Sequence, residues 1–484
     1  MATNNSDTKN TFLEGRAQNL TGEQKLVLQK VWAQLLLFWG VKVKVDHILT
    51  PYDKKNCASE KEEMKEEEKA EMEKHTIENK HTKKKSHSGG WFGSHSSSKK
   101  KEHEEKAKLE HKLEEQDKEN KSIEKLNNTQ HESDNEEDNG ETFDTRSNRS
   151  AAAIEESYPH CYIHDSLKDL KPEEIKEEFW NMLRVESPDN LLLRYIRARK
   201  WNIDKSLVMI SRTFDWRLNK LQPDKILREG EKYAFDHKMD GLIKNYESMK
   251  ASIRGVDLGG HPIVLVRVKL HHPSEQTEEE VERYALTVIE EARLFLKEPI
   301  DQATIVFDLT GFSLSNMEYS PVKFLIECFE AHYPECLSKF IIHKAPWVFN
   351  SIWSIIKNWL DPVVASKFIF TKGHKDLLKY IALEHIPEYL SGGDKYNYHY
   401  QAPGNWDELD SKLNDHETRD LLISKRDEII GRFIYNTVQW IETGEDGFFK
   451  ERLKIGEEFK NNYIELDPYL RSRSYYDWEN LLKL

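Results

Sequence analysis

A long stretch of this chain, 54–157, contains few side chains that could enter a hydrophobic core. It consists largely of Lys, Glu, Ser and His, and its only aromatic residues are Trp91, Phe92 and Phe143. Such a composition buries too little apolar surface to offset the conformational entropy that folding removes. We therefore predict that 54–157 is a disordered, charged insertion, and that the fold is built from the residues on either side of it.

Charge and apolar patterning exclude several classes of protein. The chain has 72 Lys and Arg against 86 Asp and Glu, a net charge of −14, which is the wrong sign for a protein that binds nucleic acid. Its first residues, MATNNSDTKN, lack the apolar core of a secretory signal, and the longest apolar stretch, 31–41, is too short to span a bilayer. The four cysteines form no CxxC motif or zinc-ligand spacing. We expect a cytoplasmic protein with no metal, no cofactor and no nucleic-acid partner.

Residues 1–53 form an N-terminal segment with one predicted amphipathic helix. Thr21 precedes the helical pattern, and Gly40 is the predicted stop. The apolar residues that recur at helical spacing are Leu28, Val31, Trp32, Leu35 and Trp39. Such a face suits a membrane surface, but docking onto a folded domain is the commoner arrangement. We predict that the helix docks onto the helical unit that follows the insertion.

Ordered patterns resume at 158 and continue to the C-terminus. Residues 158–238 are predicted to form a small helical unit, in which Ser187 and Pro188 begin one helix and Asp204 caps the next. Residues 401–484 contain long amphipathic patterns and are predicted to pack on the domain as a C-terminal helical appendage.

Between these helical regions, 239–400 alternates between strand and helix patterns. Four short runs rich in β-branched residues, 262–268, 303–309, 339–342 and 367–370, are separated by helical segments. A capping box, Thr277 with Glu280, begins one of these helices, and Ser320 with Pro321 begins another. This alternation predicts an α/β lobe with a mixed, mostly parallel sheet.

One helix of this lobe is unusually aromatic. From Asn350 to its predicted end at Asp361 and Pro362, the helix is apolar around most of its circumference. Its apolar residues, with those just before it, are Val348, Phe349, Ile352, Trp353, Ile356, Trp359 and Leu360. Taken alone, such a helix is more often part of a core than a functional element.

Five separated motifs, in order and spacing, resemble the CRAL-TRIO lipid-binding family and, within it, the fungal phosphatidylinositol transfer proteins. They are LLLRYIRARKWNIDKS, FDLTGFSLSN, HYPECLSKFIIHKAPWVFNSIW, LDPVVASKFIF and IPEYLSGG. The resemblance covers 171–394 and the helix after Thr21. It implies a helical unit beside an α/β lobe whose sheet floors a hydrophobic pocket, closed by a mobile gate helix. The implied gate residues are Phe349, Ile352, Trp353, Ile356, Trp359 and Leu360.

The same resemblance implies three residues for a phosphoinositide headgroup. Lys367 matches the lysine that meets the headgroup phosphate, Glu335 matches the glutamate that pairs with this lysine and reaches inositol hydroxyls, and Arg199 matches a supporting arginine. The chemistry is sensible because a buried phosphodiester needs a fixed cation and hydroxyls need acceptors. Without the resemblance, each of these three residues would be interpreted as one member of an ordinary surface ion pair.

The predicted pocket floor departs from the best-known family pattern. Ala303 and Ile305 stand where some members have hydroxyl side chains that bind phosphatidylcholine, and Val364 replaces a threonine. Ala303, Ile305 and Phe307 share one face of a strand, so we expect an apolar floor. This disfavours phosphatidylcholine. It favours phosphatidylinositol together with a second, more hydrophobic ligand, such as a sterol or an isoprenoid hydrocarbon.

The sequence therefore predicts a non-enzymatic phosphatidylinositol transfer protein that visits membranes transiently. A lipid hydrolase is the first alternative, but the chain has no GxSxG, P-loop or GxGxxG motif. The second alternative is a lipid-responsive adaptor for phosphoinositide metabolism or trafficking, which would use the same fold. The sequence specifies no protein partner.

Overall fold

A computed structural model of the protein describes residues 12–50, 52 and 162–484. The predicted disordered insertion, 54–157, lies outside the described residues. The helices before the sheet are α1 (Gly22–Phe38), α2 (Asp165–Lys168), α3 (Pro172–Asn181), α4 (Pro188–Ala198), α5 (Ile203–Asp215), α6 (Pro223–Asp236) and α7 (Asp240–Glu247). Two π-helical turns, Trp216–Leu221 and Cys328–His332, continue α5 and a later helix.

The lobe contains five strands and five α-helices. The strands are β1 (Ala251–Val256), β2 (Pro262–Arg267), β3 (Ala303–Asp308), β4 (Leu337–His343) and β5 (Phe368–Thr371). The helices are α8 (Glu278–Leu294), α9 (Ser320–Glu327), α10 (Phe349–Ile356), α11 (Pro362–Ala365) and α12 (His374–Leu377). After the lobe come α13 (Trp406–Leu409), α14 (His416–Thr443), α15 (Asp446–Leu470) and α16 (Tyr475–Trp478).

Helix α1 begins and ends where the sequence predicts. Thr21 and Gln24 form a capping box at its start, and Gly40, with a φ of 74°, follows its last turn. Trp32 is completely buried, and its Nε1 donates to Asp189 Oδ1 at 2.7 Å. Its ring also packs against Phe433 of α14 at 5.4 Å. Helix α1 therefore lies between α4 and the C-terminal helices, and protein covers its apolar face.

The start of α5 corrects one prediction. The predicted N-cap, Asp204, is wrong, because Asn202 caps this helix by accepting from Lys205 N at 2.9 Å. Lys200 and Trp201 adopt positive φ values of 52° and 64° and reverse the chain, which leaves Asn202 as the last extended residue. Asp204 lies in the first helical turn, where a negative charge favours the helix dipole.

The sheet is mixed and mostly parallel, as predicted. Its five strands lie in the order β1-β2-β3-β4-β5, with β1 antiparallel to β2 and the other neighbours parallel. The sequence predicted four of these strands but not β1, ASIRGV, whose Ser, Arg and Gly break the strand pattern.

The two faces of the sheet differ in what covers them. Val306 and Ile341 belong to a tightly packed cluster on one face, together with Leu377 and Ile386 from the segments after β5. Ile305 points to the opposite face by the two-residue period of a strand. The candidate functional site lies on this opposite face.

The C-terminal segment and α8 cover the open edge of the sheet at β1. Ile253 N donates to the hydroxyl of Tyr476 at 2.9 Å, and Ala251 N donates to the hydroxyl of Tyr284 at 2.9 Å. These bonds satisfy N–H groups that an edge strand would otherwise leave open. Helices α14 and α15 pack against each other, and buried Arg452 pairs with Asp189 of α4.

Two buried carboxyl groups lie where the C-terminal segment meets α6 and α8. Glu231 accepts from Tyr475 N at 2.9 Å, and burial raises the pKa of Glu231 to about 7. Burial and the neighbouring Glu231 also raise the pKa of Glu291. Between pH 4.5 and 7 the unfolded chain releases a proton that folded Glu231 keeps. The free energy of unfolding should therefore fall as pH rises through this window.

Replacing Glu231 by glutamine should stabilise the protein at pH 8 and have much less effect at pH 4.5. Glutamine keeps an acceptor for Tyr475 N but removes the buried charge, so we expect a gain of about 1–3 kcal/mol at pH 8. Urea unfolding at both pH values measures this. Glu247→Gln, at an exposed position at the end of α7, is the control and should change little. A gain that is equal at both pH values would contradict the pKa assignment.

Candidate functional site

A cavity of about 240 Å³ lies between the sheet and the helices α8, α9 and α10. A cavity needs at least roughly 10–15 Å³ to hold a water molecule, so the volume of this cavity is many times that minimum. Its wall is almost entirely hydrocarbon, contributed by β2 and β3 below and by the three helices around and above. A space of this kind favours an apolar ligand over water.

The structure places all four predicted floor residues, Ala303, Ile305, Phe307 and Val364, on the cavity wall. The first three alternate along β3, whereas Val306 between them packs into the opposite core. The floor therefore carries no hydroxyl at the positions that we aligned with the phosphatidylcholine contacts of some family members.

The aromatic helix over the cavity is shorter than predicted. Helix α10 ends at Ile356 rather than at Leu360, and Asp361 caps the next short helix by accepting from Val363 N at 2.7 Å. The proline after Asp361 disfavours helical geometry there, so the chain turns before α11.

The predicted gate residues take three different positions. Phe349, Trp353, Ile356 and Leu360 contribute to the cavity wall. Ile352 is completely buried. Trp359 packs edge-on against Tyr319, with a centroid distance of 5.4 Å.

Aromatic contacts hold α10 over the cavity. The Trp353 ring lies 4.9 Å from Phe368 and 5.1 Å from Phe370, both on β5. At the other end of the helix, Phe349 meets Phe312 at 6.1 Å. These contacts are between ring faces and edges and do not involve hydrogen bonds, so separating them leaves no buried polar group unsatisfied.

Large apolar side chains flank α10 on its outer side. Trp347 is 53% exposed, Val363 is 51% exposed and Phe370 is 46% exposed. Trp347 precedes α10, Val363 lies in α11, and Phe370 of β5 packs against Trp353 of α10, so all three lie on or next to elements that cover the cavity. Exposed apolar groups that cluster in this way are typical of an interaction surface.

Lys367 and Glu335 lie near the edge of the sheet where its parallel strands begin. Lys367 directly precedes β5, and its Nζ donates to the carbonyl of Leu337 at 2.6 Å. Leu337 is the first residue of β4, lines the cavity and follows Glu335 by two positions. In the described part of the chain no ion pair joins Lys367 to Glu335, whose Oε2 instead lies 3.9 Å from Arg197 Nε.

Glu335 has a left-handed backbone conformation, with a φ of 58°. Its carbonyl accepts from Arg194 Nη1 at 2.9 Å and from Gln302 Nε2 at 3.3 Å. A residue other than glycine pays for such a conformation with strain, which surrounding contacts must hold. The Glu335 carboxylate is therefore carried on a backbone that two long side chains fix in place.

Arg199 lies across from the turn between α10 and α11. It is the C-cap of α4, and burial lowers its pKa while the nearby carboxylates of Asp361 and Glu330 act in the opposite direction. Glu330 in turn accepts from Asp361 N at 2.6 Å. Among the described residues Arg199 forms no ion pair with either carboxylate, so the structure shows it near the end of the aromatic helix but not bonded to it.

Sequence reasoning missed a group of polar residues on the cavity wall, made up of Asn245, Lys250, His271 and Glu318. Burial lowers the pKa of Lys250 to about 8. No local pattern marks these residues, because they come from separate loops and from the end of α7. Among the described residues no group of His, Cys, Asp and Glu could hold a metal ion. None of the described helices combines the length and apolar composition needed to cross a bilayer.

Comparison with known proteins gives a consistent set of matches. The family model for the CRAL/TRIO domain matches 246–392, and that for the CRAL/TRIO N-terminal domain matches 163–212. The chain is 42% identical over 479 residues to phosphatidylinositol transfer protein CSR1 of Eremothecium gossypii, covering 98% of this chain and 99% of that one. It is 41% identical over 313 residues to CRAL-TRIO domain-containing protein C3H8.02 of Schizosaccharomyces pombe, covering 64% and 69%. The solved structure of Sfh5 aligns with a TM-score of 0.35 at 18% identity, covering 48% of this chain and 76% of that chain.

Proposed function

This chain belongs to the CRAL-TRIO family, and from that premise we propose that it carries phosphatidylinositol between membranes in a gated hydrophobic pocket. The name of the Eremothecium gossypii relative, which aligns over 99% of its length, supports this ligand. Such a carrier changes the location of a lipid without changing its covalent bonds.

The cavity beneath α10 is the observation that carries the proposal. Exposing the roughly 30 methylenes of a two-chain lipid to water costs about 24 kcal/mol, at about 0.8 kcal/mol each. An apolar pocket and a bilayer interior are similar environments for these chains, so the cost nearly cancels when one replaces the other. A covered apolar cavity is therefore what a lipid carrier needs.

Lys367, Glu335 and Arg199 are proposed to bind the inositol phosphate headgroup. The Lys367 ammonium donates to the Leu337 carbonyl, which a lipid phosphate could replace as a stronger, charged acceptor. The Glu335 carboxylate, carried on a backbone whose carbonyl accepts from Arg194 and Gln302, supplies an acceptor for inositol hydroxyls. Arg199 lies where movement of α10 would change its electrostatic partners.

Opening is proposed to occur at a membrane surface. Trp347, Val363 and Phe370 would enter the bilayer interface while α10 swings away from the sheet, and the inner face of α10 would then meet lipid instead of water. The aromatic contacts of Trp353 would re-form when the carrier leaves with its ligand.

Replacing Trp347 by alanine should weaken vesicle binding by about tenfold. The indole is half exposed in the free protein, so its apolar area is removed from water only when the protein docks on a membrane. Co-sedimentation with phosphatidylcholine vesicles measures this. Tyr435→Ala removes another exposed aromatic, 60% exposed on α14 away from α10, and is the matched control. Equal sedimentation of both variants and the wild-type chain would contradict the proposed docking surface.

Lipid exchange between vesicles tests the proposed function directly. The full chain should accelerate movement of labelled phosphatidylinositol from donor to acceptor vesicles. It should move phosphatidylcholine much less, because the floor residues Ala303 and Ile305 offer no hydroxyl to that headgroup. No acceleration for phosphatidylinositol would overturn the proposal.

A further inference from the structure

The cavity has polar groups near both of its ends. Lys367 and Leu337 stand near the edge where β4 and β5 begin. Lys250 lies at the other edge, because its carbonyl accepts from the N–H of Arg267, the last residue of β2, at 2.8 Å. β3, which floors the cavity between them, has six residues, and a strand of this length spans roughly 20 Å. The two polar groups are therefore separate features of one cavity.

The polar end at Lys250 is a buried hydrogen-bonded cluster. Lys250 is 8% exposed, and its Nζ donates to Gln276 Oε1 at 2.9 Å and lies 3.3 Å from His271 Nδ1. His271 Nε2 lies 2.9 Å from Glu318 Oε2. Lys250, His271 and Glu318 all line the cavity. An ammonium group at the wall of a hydrocarbon cavity is costly unless it is paired or hydrogen-bonded there.

Two donors in this cluster converge on one acceptor. Gln276 Nε2 also lies 2.8 Å from His271 Nδ1, so two donors approach the single lone pair of that nitrogen. Asn245 is 2% exposed and lines the same cavity, and among the described residues its Nδ2 has no hydrogen-bond partner. The Asn245 carbonyl accepts from Lys250 N at 3.2 Å, which places the two residues side by side.

A buried donor without a partner costs free energy, and such groups in native proteins call for an explanation. We infer that Lys250 and Asn245, beside His271, bind the terminal oxygen, hydroxyl or carboxylate, of a second ligand whose hydrocarbon body fills the cavity. The inference rests on the proposed carrier function and specifies the chemical class of its second ligand. That ligand is an apolar molecule with one small oxygen group at its end and is not a pure hydrocarbon.

The position of the cluster also determines how two ligands would share the cavity. A ligand anchored at Lys250 extends along β3 toward Lys367, through the volume that the acyl chains of a phospholipid would fill. The two ligands would therefore exclude each other. The second ligand would be held at the Lys250 end of the cavity and the phospholipid at the Lys367 end. One apolar cavity could in this way distinguish two lipid classes.

Three probes of matched chain length test the inference. Labelled hexadecan-1-ol, hexadecanoic acid and n-hexadecane are each presented to the full chain in phosphatidylcholine vesicles, and the amount retained per chain is measured after separation. The wild-type chain should retain the alcohol or the acid at least about tenfold more than the alkane. Whichever of the two is retained more identifies the terminal group as hydroxyl or carboxylate. Equal retention of all three, or retention of none, would overturn the inference.

Two variants test whether the preference for an oxygenated ligand over the alkane comes from this cluster. Lys250→Met keeps the aliphatic stem and should reduce the ratio of oxygenated ligand to alkane to about one. Asn245→Leu should lower the same ratio without loss of stability, because it removes a donor that has no partner. Lys244→Met is the matched control, since Lys244 is exposed and pairs with Glu275 at 3.0 Å. A ratio that persists in Lys250→Met would overturn the inference.

The outcome is independent of phosphatidylinositol exchange. If exchange occurs but the wild-type chain shows no preference for an oxygenated probe, only this inference fails. If the preference is present but exchange is absent, only the proposed phosphatidylinositol function fails.

Discussion

Replacing Lys367 by alanine is expected to reduce phosphatidylinositol transfer between vesicles by about ten- to a hundredfold. A hydrogen bond to a charged group contributes about 1.5–3 kcal/mol, and each 1.4 kcal/mol corresponds to a factor of ten. The variant should remain folded, because among the described residues the Lys367 ammonium makes one hydrogen bond, to the Leu337 carbonyl. The effect should therefore appear in transfer rate and not in the free energy of unfolding.

Lys372→Ala is the matched control for this experiment. Lys372 follows β5 and is exposed, and replacing it by alanine removes the same charge from the same part of the chain. The transfer rate of the Lys372→Ala chain should equal that of the wild-type chain. Transfer that is unchanged in Lys367→Ala would refute the assignment of this lysine to the headgroup and leave the cavity without a proposed selectivity for inositol lipids.

Replacing Ala303 by tryptophan is expected to abolish transfer of every lipid while leaving the protein folded. Ala303 is on the cavity floor, so the indole would occupy space that is otherwise available to ligand. Filling a cavity does not require other side chains to move, and the change in stability should stay within about 1 kcal/mol. Transfer of phosphatidylinositol and urea unfolding are measured on the same preparation.

The opposite face of β3 supplies the control for Ala303→Trp. Val306 is 2% exposed and packs with Ile341 and Leu377, and the space beside it is only about 20 Å³, so Val306→Trp overpacks this core. We expect that variant to lose about 1–3 kcal/mol or more of stability. If Ala303→Trp is destabilised equally, or if it still transfers lipid, then the space over β3 is not the lipid site.

Much of the lobe could be predicted because its signals are local. The capping box of Thr277 and Glu280 begins α8 as predicted. The two-residue period placed Ala303, Ile305 and Phe307 on one face of β3, and all three line the cavity. These features depend on residues within one or two turns or on strand geometry, which a single sequence displays directly.

The rest depends on contacts between distant parts of the chain. Strand β1 has a weak pattern of its own and is completed by pairing with β2 and by the hydroxyl of Tyr476, which is 223 positions from Ile253. The polar end of the cavity joins Lys250 with His271, and His271 in turn with Glu318, across loops that carry no shared motif. Helix α10 ends earlier than predicted because Asp361 and Glu330 stabilise the turn that follows it. No local pattern contains this information.

Mass spectrometry of the lipids that copurify with the intact protein tests the central claim most directly. If the chamber under α10 holds a lipid away from water, about one lipid molecule should accompany each wild-type chain, with phosphatidylinositol among the species found. The Ala303→Trp chain, purified in the same way, should carry none. A wild-type chain without bound lipid, or equal lipid in the two proteins, would contradict the account.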